Sequence, residues 1–321
     1  MKNIINELRK GTSIEKGFSA KSIKDYKSFM IGIDSSDQIV FFIKPKNFLS
    51  TKQPHSSKTK FLNISFEVEC EVNLESITSI DKYILLSLRS NNNLVEDIFI
   101  NICKDIMQIL GDNTDYEKAI ELVNSLRDMF SKLINTGRKE EIGLWGELFV
   151  ICISSNKELL IDSWHINNSD TFDFNDGNTK LEIKTTSKGE RIHRISLNQI
   201  LKSIESKSLI CSIMTSEIEL GKSVNDLIDE INQSVDHNYK IKLMERVMDA
   251  AGNNILNFKA KFDFTTAISS YKFYKATSIP SINQNLISPE ISNIKFDTNL
   301  EGITEENVSR KTGFLSYLTN C

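Results

Sequence analysis

The most informative stretch of this sequence for its fold is Phe172-Asp-Phe-Asn-Asp-Gly-Asn-Thr-Lys-Leu-Glu-Ile-Lys-Thr185. Its centre, Asn175-Asp-Gly-Asn178, predicts a tight turn, because Asp-Gly tolerates the positive φ angles that hairpin turns need. Apolar and polar residues alternate after the turn, which is typical of a β-strand. We therefore predict a β-hairpin in which Phe174 pairs with Thr179, whether Asp176-Gly177 alone or all four turn residues form the loop.

This pairing places four charged side chains on one face of the hairpin. Asp173 pairs with Lys180, and because side chains alternate along a strand, Glu182 and Lys184 point the same way as Lys180. Asp173 and Glu182 are then diagonal neighbours with Cα atoms about 7–8 Å apart, so their carboxylates can converge on one ion. A three-residue loop or a bulge would break this alternation.

Two carboxylates and a lysine on one face are a set of groups that can hold a divalent metal beside a phosphodiester. Mg²⁺ takes oxygen ligands, usually one or two carboxylates together with waters and phosphate oxygens. The ion lowers the pKa of a water and neutralises developing charge on the leaving oxygen. A lysine two residues past a ligand can orient the attacking water or offset charge in the transition state. The structural alternative is an amphipathic edge hairpin with a solvated, mixed-charge face.

A helix before the hairpin offers a third carboxylate. We predict this helix from about Lys139 to Ser154, with Glu147 on it and with Gly143 and Gly146 inside it. A glycine inside a helix costs about 1 kcal/mol relative to alanine. We expect both glycines to allow a close approach of the helix to the hairpin, which would bring Glu147 to the metal. The structural alternative for Glu147 is an acid on the helix surface.

The order of these groups resembles the PD-(D/E)XK nuclease superfamily, and most closely the bacterial family usually described as "PD-(D/E)XK motif protein". That family has a Gly-x-x-Gly-Glu-Leu helix, then Asp-Phe, then Glu-hydrophobic-Lys-Thr-Thr, then a basic segment ending in Ser-Leu-x-Gln. The matching stretches here are Gly143-Leu-Trp-Gly-Glu-Leu148, Asp173-Phe174, Glu182-Ile-Lys-Thr-Thr186 and Arg191-Ile-His-Arg-Ile-Ser-Leu-Asn-Gln199. The residue before Asp173 is Phe where the superfamily's name has Pro.

The resemblance implies a fold and an activity. The fold would be α/β (α+β), a restriction-endonuclease-like mixed-sheet core of α-β-β-β-α-β order flanked by helices. The activity would be that of a DNA endonuclease dependent on Mg²⁺, or on Mn²⁺, in a restriction or anti-phage system beside other subunits. Asp173 and Glu182 would bind the metal, Lys184 would position or activate water, and Glu147 would be a third ligand or an acid behind the ligands. The alternative is a non-catalytic DNA-binding or scaffolding subunit on the same fold.

The segment after the hairpin, Lys188-Gly-Glu-Arg-Ile-His-Arg194, is locally basic and suits contacts with phosphates. In the resembling family, the His and the Gln of this region look like part of the active-site edge. The candidate nucleic-acid contacts are Lys188, His193, Arg194 and Gln199. Ser196 is predicted to cap the next helix, with Gln199 in its first turn, and capping is the structural alternative.

Composition limits the possible partners and the compartment. The formal net charge is −4, so no global basic field attracts nucleic acid, and any DNA contact must come from local patches. The five cysteines are scattered and form no C-x-x-C motif, which argues for reduced thiols and against a zinc site or a disulfide framework. No apolar run approaches the length of a membrane span, and the N-terminus lacks the apolar core of a signal peptide. We predict a cytoplasmic protein without a membrane segment.

The 321 residues are enough for two domains or for one domain with large additions. We predict a β-rich N-terminal domain over 1–92, a helical connector over 93–136, the nuclease core over 137–216, and a helical and β extension over 217–321. The clearest strand of the first domain runs from Leu62 to Val72, because apolar and polar residues alternate along it. The side chains expected on its apolar face are Leu62, Ile64, Phe66, Val68, Cys70 and Val72.

Overall fold

The structure of this protein is a computed structural model that divides into two compact units, Met1–Thr136 and Gly137–Cys321. It describes residues 1–11, 17–48, 54–74, 77–135, 137, 140–164, 172–206, 208–283, 286–288, 290–308 and 312–318. The sequence predicts boundaries near residue 137 and also after residues 92 and 216. In the structure, the helices that follow residue 92 belong to the first unit, and the stretch after residue 216 belongs to the second.

The described part of the first unit contains a six-stranded antiparallel sheet and helices. Its elements are α1 (Lys2–Arg9), β1 (Phe18–Ile23), β2 (Tyr26–Asp34), β3 (Ile39–Ile43), β4 (Ser57–Lys58), β5 (Leu62–Leu74), β6 (Ile77–Leu88), α2 (Asn93–Leu110) and α3 (Tyr116–Lys132). The strand order in the sheet is β1-β2-β3-β6-β5-β4. The predicted β-rich character of this part of the chain is therefore observed.

Strand β5 contains a β-bulge that the sequence pattern does not reveal. Its register with β6 shifts after Ser65, and Glu67 has a φ angle of +54°. An extra residue in one strand reverses the face that the following side chains occupy. Val68 and Cys70 accordingly pack against an apolar cluster on the face opposite Ile64. The buried members of that cluster are Met30, Val40, Phe42, Tyr83 and Leu85. The predicted single apolar face of β5 is therefore wrong beyond the bulge.

Side-chain caps explain where α2 and α3 begin. The Asn92 side chain accepts a hydrogen bond from the Leu94 N–H at 2.9 Å, and the Asp115 side chain accepts one from the Lys118 N–H at 2.8 Å. Such caps satisfy backbone donors that a helix start leaves unpaired. The two helices pack through Phe99 of α2 and Phe130 of α3, whose ring centroids lie 6.0 Å apart. Within the described residues, no helix has the length and hydropathy to cross a membrane.

The second unit carries the candidate site on a mixed sheet. Its described elements are α4 (Glu141–Ile153), α5 (Lys157–Ser163), β7 (Phe174–Asn175), β8 (Lys180–Thr186), β9 (Ile192–Ser196), α6 (Leu197–Glu205), β10 (Leu209–Met214), β11 (Glu217–Lys222), α7 (Val224–Asn232), α8 (His237–Ala251), α9 (Phe264–Ser270), β12 (Lys272–Lys275), β13 (Lys295–Asn299) and 3₁₀ helices at Asn253–Asn257, Ala276–Ser278 and Gly313–Tyr317. The main sheet has the order β12-β10-β8-β7, with β8 and β10 parallel and the outer pairs antiparallel.

The order of elements from α4 to β10 confirms the predicted fold class, an α/β (α+β) mixed-sheet core flanked by helices. An additional helix, α5, precedes the first strand, and two strands also differ from the predicted α-β-β-β-α-β core. The first strand, β7, has only two residues, and Trp164 adds an isolated antiparallel bridge to Phe174. The third strand, β9, pairs with β13 in a separate two-stranded sheet. The C-terminal stretch thus supplies β12 and β13 as partners of core strands.

Candidate active site

The hairpin forms in a different register from the one that the sequence predicts. Phe174 pairs with Leu181 and Asn175 with Lys180, so the loop consists of residues 176–179. The cause is the Asp176 carboxylate, whose Oδ1 accepts hydrogen bonds from the N–H groups of residues 178 and 179 at 3.0 and 2.6 Å. An Asp side chain that bonds its own following backbone stabilises such a turn. The predicted pairing of Phe174 with Thr179 is therefore wrong by two positions, and a shift of two keeps the alternation of faces.

Glu182 and Lys184 lie together on one face of β8, as the alternation predicts. The Lys184 ammonium is 2.8 Å from Glu182 Oε1. The Gln199 side-chain amide at the start of α6 donates to the same Glu182 oxygen at 2.5 Å. Glu182 is 4% exposed, and a buried carboxylate is costly unless charges and donors compensate it. The Lys184 side chain is 19% exposed, so a substrate can still reach it.

Asp173 lies against the same part of β8. It is 5% exposed, and its Oδ2 accepts a hydrogen bond from the Ile183 N–H at 2.7 Å. The observed register, extended by one pair beyond Phe174, would set Asp173 opposite Glu182. The structure thus holds both predicted carboxylates against the middle of β8, one through a backbone donor and one through Lys184 and Gln199.

Glu147 occupies a different environment. It is buried on α4, and the Trp164 indole N–H donates to its Oε2 at 2.8 Å. Among the described residues, no three His, Cys, Asp or Glu side chains form a metal-binding group. The structure therefore does not bring Glu147 into one such group with Asp173 and Glu182. A divalent cation still suits the two latter side chains, since one or two carboxylates with waters and phosphate oxygens suffice for Mg²⁺.

Helix α4 approaches β8 closely at one of its two glycines. A Cβ atom at Gly146 would lie 1.8 Å from Thr185 Oγ1 and 3.0 Å from Thr185 Cβ. A Cβ atom at Gly143 would meet nothing within 4 Å. The prediction of a close approach is confirmed for Gly146 and wrong for Gly143. The approach fixes the helix that carries Glu147 against the strand that carries Glu182.

Substitutions at these two glycines are expected to act in opposite directions. Gly146→Ala should destabilise the second unit by about 1–3 kcal/mol, because the new methyl group overlaps Thr185, and Thr185→Ala in the same chain should recover much of the loss. Gly143→Ala should stabilise by up to about 1 kcal/mol, since it removes only the helix cost of glycine. Both tryptophans lie in the second unit, so urea unfolding followed by their fluorescence measures this unit. Equal stabilities of the two single variants would contradict the packing.

A buried polar network supports the site from β9 and β10. Arg191 donates through Nη1 to the Ser212 carbonyl at 3.0 Å and to its Oγ at 2.8 Å. His193 Nε2 lies 2.6 Å from the same Oγ. An arginine can only donate hydrogen bonds, so the Ser212 hydroxyl oxygen accepts from Arg191. The Ser212 hydroxyl can in turn donate a hydrogen bond to His193 Nε2. Ser212 pairs in register with Lys184, which places this network beside the candidate site.

The environment keeps the His193 imidazole neutral. Burial lowers the pKa of His193 from its ordinary value of 6.5 to about 4, and the positive charges of Lys184 and Arg191 act in the same direction. In the unfolded chain the imidazole takes up its proton near its ordinary pKa. Between about pH 4 and 6.5 the unfolded chain therefore binds more protons than the folded protein, and the stability rises with pH across that window.

His193→Gln is expected to flatten this pH dependence. Between pH 7 and pH 4 the wild type should lose on the order of 3 kcal/mol more unfolding free energy than the variant, because only the wild type must exclude a proton from residue 193. Urea unfolding at several pH values measures the difference, and the other titrating groups cancel in it. Parallel curves for the two proteins would show that His193 is not held neutral.

The four candidate nucleic-acid contacts occupy different places. Lys188 and Arg194 are exposed, and Arg194 is paired in register with Asp297 of β13. His193 is buried, so its imidazole supports the site from inside and offers no surface for a nucleic acid. Gln199 contacts Glu182 within the site, and the predicted Ser196 cap of its helix is present, with Ser196 Oγ accepting from the Gln199 N–H at 3.2 Å.

Sequence reasoning does not identify the roles of three residues of the site. Arg191 was included only in a basic segment suited to phosphates, whereas it is buried and bonds to backbone carbonyls and Ser212. Ser212 is a lone polar residue in the otherwise apolar strand Leu209–Met214, and that position could have identified it. Trp164 follows α5 in the structure, and no sequence signal links its indole to Glu147.

The comparison with protein families covers nearly the whole chain. A family model described as "Putative PD-(D/E)XK family member, (DUF4420)" matches residues 2–301. The match includes all of the candidate site residues and ends before the 3₁₀ helix at Gly313–Tyr317. No curated protein and no solved structure matches the chain. The resemblance that the motifs carry is confirmed by this match.

Proposed function

This chain belongs to the family described as "Putative PD-(D/E)XK family member, (DUF4420)", and on that basis we propose that it is a metal-dependent DNA endonuclease of the restriction or anti-phage type. PD-(D/E)XK nucleases typically use divalent metals. The observation that carries the proposal is the buried pair of Glu182 and Lys184, joined by Gln199 and flanked by Asp173. An acid that can hold a metal ion, beside a lysine that can orient water or offset charge, suits metal-assisted phosphodiester hydrolysis.

Each side chain has a defined role in this proposal. Asp173 and Glu182 would hold Mg²⁺ or Mn²⁺, which when bound makes a water more acidic and offsets charge on the leaving oxygen. Lys184 reaches solvent from beside Glu182, so its ammonium can orient the attacking water or stabilise negative charge on the phosphate. Gln199 fixes the Glu182 carboxylate through its amide. Glu147, bonded to Trp164, would act as an acid behind these groups.

Contacts with the substrate would come from local clusters of positively charged side chains, because the chain as a whole carries a formal charge of −4. Lys188 and Arg194 are exposed on the segment that links β8 to β9 and on β9 itself, close in sequence to Lys184. We propose that they bind backbone phosphates and that other subunits of a defence system supply further DNA contacts. Binding through phosphates makes the affinity fall steeply with salt.

A panel of substrates tests the proposed activity. Supercoiled and linear DNA, each methylated and unmethylated, and an RNA of matched length would be incubated with the protein in Mg²⁺, in Mn²⁺ and in EDTA. We expect cleaved DNA, nicked or cut, in at least one metal-containing reaction and no cleaved DNA in EDTA. Cleavage of RNA alone would overturn the assignment to DNA, and cleavage that persists in EDTA would overturn the metal dependence.

One observation favours the second candidate, a non-catalytic DNA-binding or scaffolding subunit. Within the described residues no group of three metal-binding side chains forms, which is compatible with a nuclease fold that has stopped cutting. Such a subunit would bind DNA with the same affinity in EDTA and in Mg²⁺, and would leave every substrate of the panel intact. The nuclease proposal instead expects metal to change both DNA binding and DNA integrity.

A further inference from the structure

A short C-terminal segment contacts both elements that carry the candidate acids. We call residues 313–318 the C-terminal clasp; it contains the 3₁₀ helix Gly313–Tyr317. Phe314 of the clasp is fully buried, and its ring centroid lies 6.1 Å from that of Phe174 in the hairpin. The clasp therefore packs on the strand residue that directly follows Asp173.

A side chain of the hairpin loop ties the clasp to the loop. Asp176 Oδ2 accepts a hydrogen bond from the Phe314 N–H at 3.3 Å, while Asp176 Oδ1 accepts from the loop N–H groups. Gly313 has a φ angle of +67°, and a Cβ atom there would lie 2.3 Å from Asp176 Oδ2. The contact thus requires glycine for both its backbone angle and its space. One carboxylate holds the loop and the clasp at once.

The other end of the clasp holds the end of helix α4. The Tyr317 carbonyl accepts hydrogen bonds from the Ser155 N–H at 3.0 Å and from the Ser155 hydroxyl at 3.3 Å. Ser155 lies two residues after the end of α4, the helix that carries Glu147. The Leu318 carbonyl accepts from the Tyr271 hydroxyl at 3.2 Å. The clasp therefore bridges the hairpin with Asp173 and Glu182 to the helix with Glu147.

A row of aromatic rings continues from the clasp to Glu147. Phe314 packs on Phe174, and Phe174 stacks on Trp164 with ring centroids 6.4 Å apart and planes 20° apart. The Trp164 indole N–H then donates to Glu147 Oε2 at 2.8 Å. All four side chains are buried. Because protein interiors are close-packed, removing one ring in such a row displaces the next.

We propose that Phe314 is a positioning residue of the candidate active site. Through Phe174 it holds Trp164 in the orientation that bonds Glu147, and through Asp176 the clasp fixes the hairpin that carries Asp173 and Glu182. The catalytic part of this inference rests on the proposed nuclease function. The positional part, the dependence of the Trp164–Glu147 hydrogen bond on Phe314, can be measured without any activity.

The two tryptophans of the chain provide a test with a built-in control. The Trp164 indole donates to Glu147, and the Trp145 indole donates to the Lys222 carbonyl at 2.8 Å. NMR of protein with ¹⁵N-labelled tryptophan measures hydrogen exchange of both indoles in the full chain. Phe314→Ala should raise the exchange rate of Trp164 by about tenfold or more and leave that of Trp145 within about twofold. Phe314→Leu should give a smaller change of the same kind, and it replaces the alanine variant if that one does not fold.

Phe262→Leu is the matched control, because the Phe262 ring lies 5.3 Å from Trp145 and, like Phe314, is buried. Phe262→Leu should raise the hydrogen-exchange rate of the Trp145 indole and leave the rate of the Trp164 indole unchanged. If both indoles change together in Phe314→Ala, or neither changes, the positional inference is overturned, since general destabilisation affects both alike.

Cleavage kinetics test the catalytic part of this inference. Phe314→Ala should lower kcat by about tenfold while the KM for DNA stays within about twofold, because no clasp residue is assigned to DNA binding. An unchanged kcat, with Trp164 exchange raised, would overturn the catalytic role of the clasp. If the wild type itself does not cut, the proposed function fails instead, and the indole exchange alone decides whether Phe314 positions Trp164.

Discussion

Lys184→Ala is expected to reduce the rate of DNA cleavage by about 10²–10³-fold at saturating metal, the range seen when one preorganised charge-stabilising donor is removed from an active site. Lys184 is held 2.8 Å from Glu182 and is partly exposed, so its ammonium can offset negative charge on a phosphate bound beside Glu182. Single-turnover kinetics should assign the loss to the chemical step. The KM for DNA should change little, because one lysine is a small part of a phosphate-binding surface.

Lys259→Ala is the matched control for this prediction. Lys259 is an exposed lysine in the second unit and lies outside the candidate site. It should cleave at the wild-type rate, and thermal melts should show that both variants remain folded. Equal rates for Lys184→Ala and wild type would mean that the activity comes from another site or from a contaminating nuclease.

Asp173→Asn is expected to abolish stabilisation by divalent metal. A ligand at 100 times its Kd stabilises a folded protein by about 2.7 kcal/mol, so Mn²⁺ or Mg²⁺ should raise the melting temperature of the wild type. The amide oxygen of asparagine can still accept the Ile183 N–H that Asp173 accepts at 2.7 Å, so the hairpin should keep its shape. The substitution therefore removes the negative charge that attracts the cation and keeps this hydrogen bond.

The control is Glu205→Gln, which removes an exposed carboxylate at the end of α6. It should melt at a higher temperature in metal, as the wild type does. Persistence of the metal effect in Asp173→Asn would place the cation elsewhere on the chain. Calorimetric titration with Mn²⁺ would then measure how many ions remain bound.

The local chemistry of the hairpin could be predicted from the sequence because strand alternation and turn residues act over a few positions. The common face of Glu182 and Lys184 and the Ser196 cap follow from such short-range rules. The exact register did not follow, because the Asp176 side chain stabilises a loop over residues 176–179, one position further along the chain than the predicted turn. A register error of two positions leaves each side chain on the same face of the hairpin, so the predicted face of the site residues is still correct.

Features that depend on contacts between distant parts of the chain could not be predicted. The bulge in β5 reverses one face of the strand without a glycine or proline to mark it. The hydrogen bond from Trp164 to Glu147 joins the residue after α5 to helix α4, and the clasp joins residue 314 to residue 176. Gly146 was predicted to permit a close approach because glycine is costly inside a helix, and the same reasoning was wrong for Gly143, which faces open space.

Nicking of supercoiled plasmid by wild type and Lys184→Ala tests the proposed site most directly. The two proteins would be purified side by side and stored in EDTA, and the reactions would be started by adding Mg²⁺ or Mn²⁺. We expect only the wild type to nick or cut the plasmid, and only after metal is added. Equal cutting by both proteins, or intact plasmid with wild type that binds the metal and the DNA, would contradict the claim that Asp173, Glu182 and Lys184 form a working nuclease site.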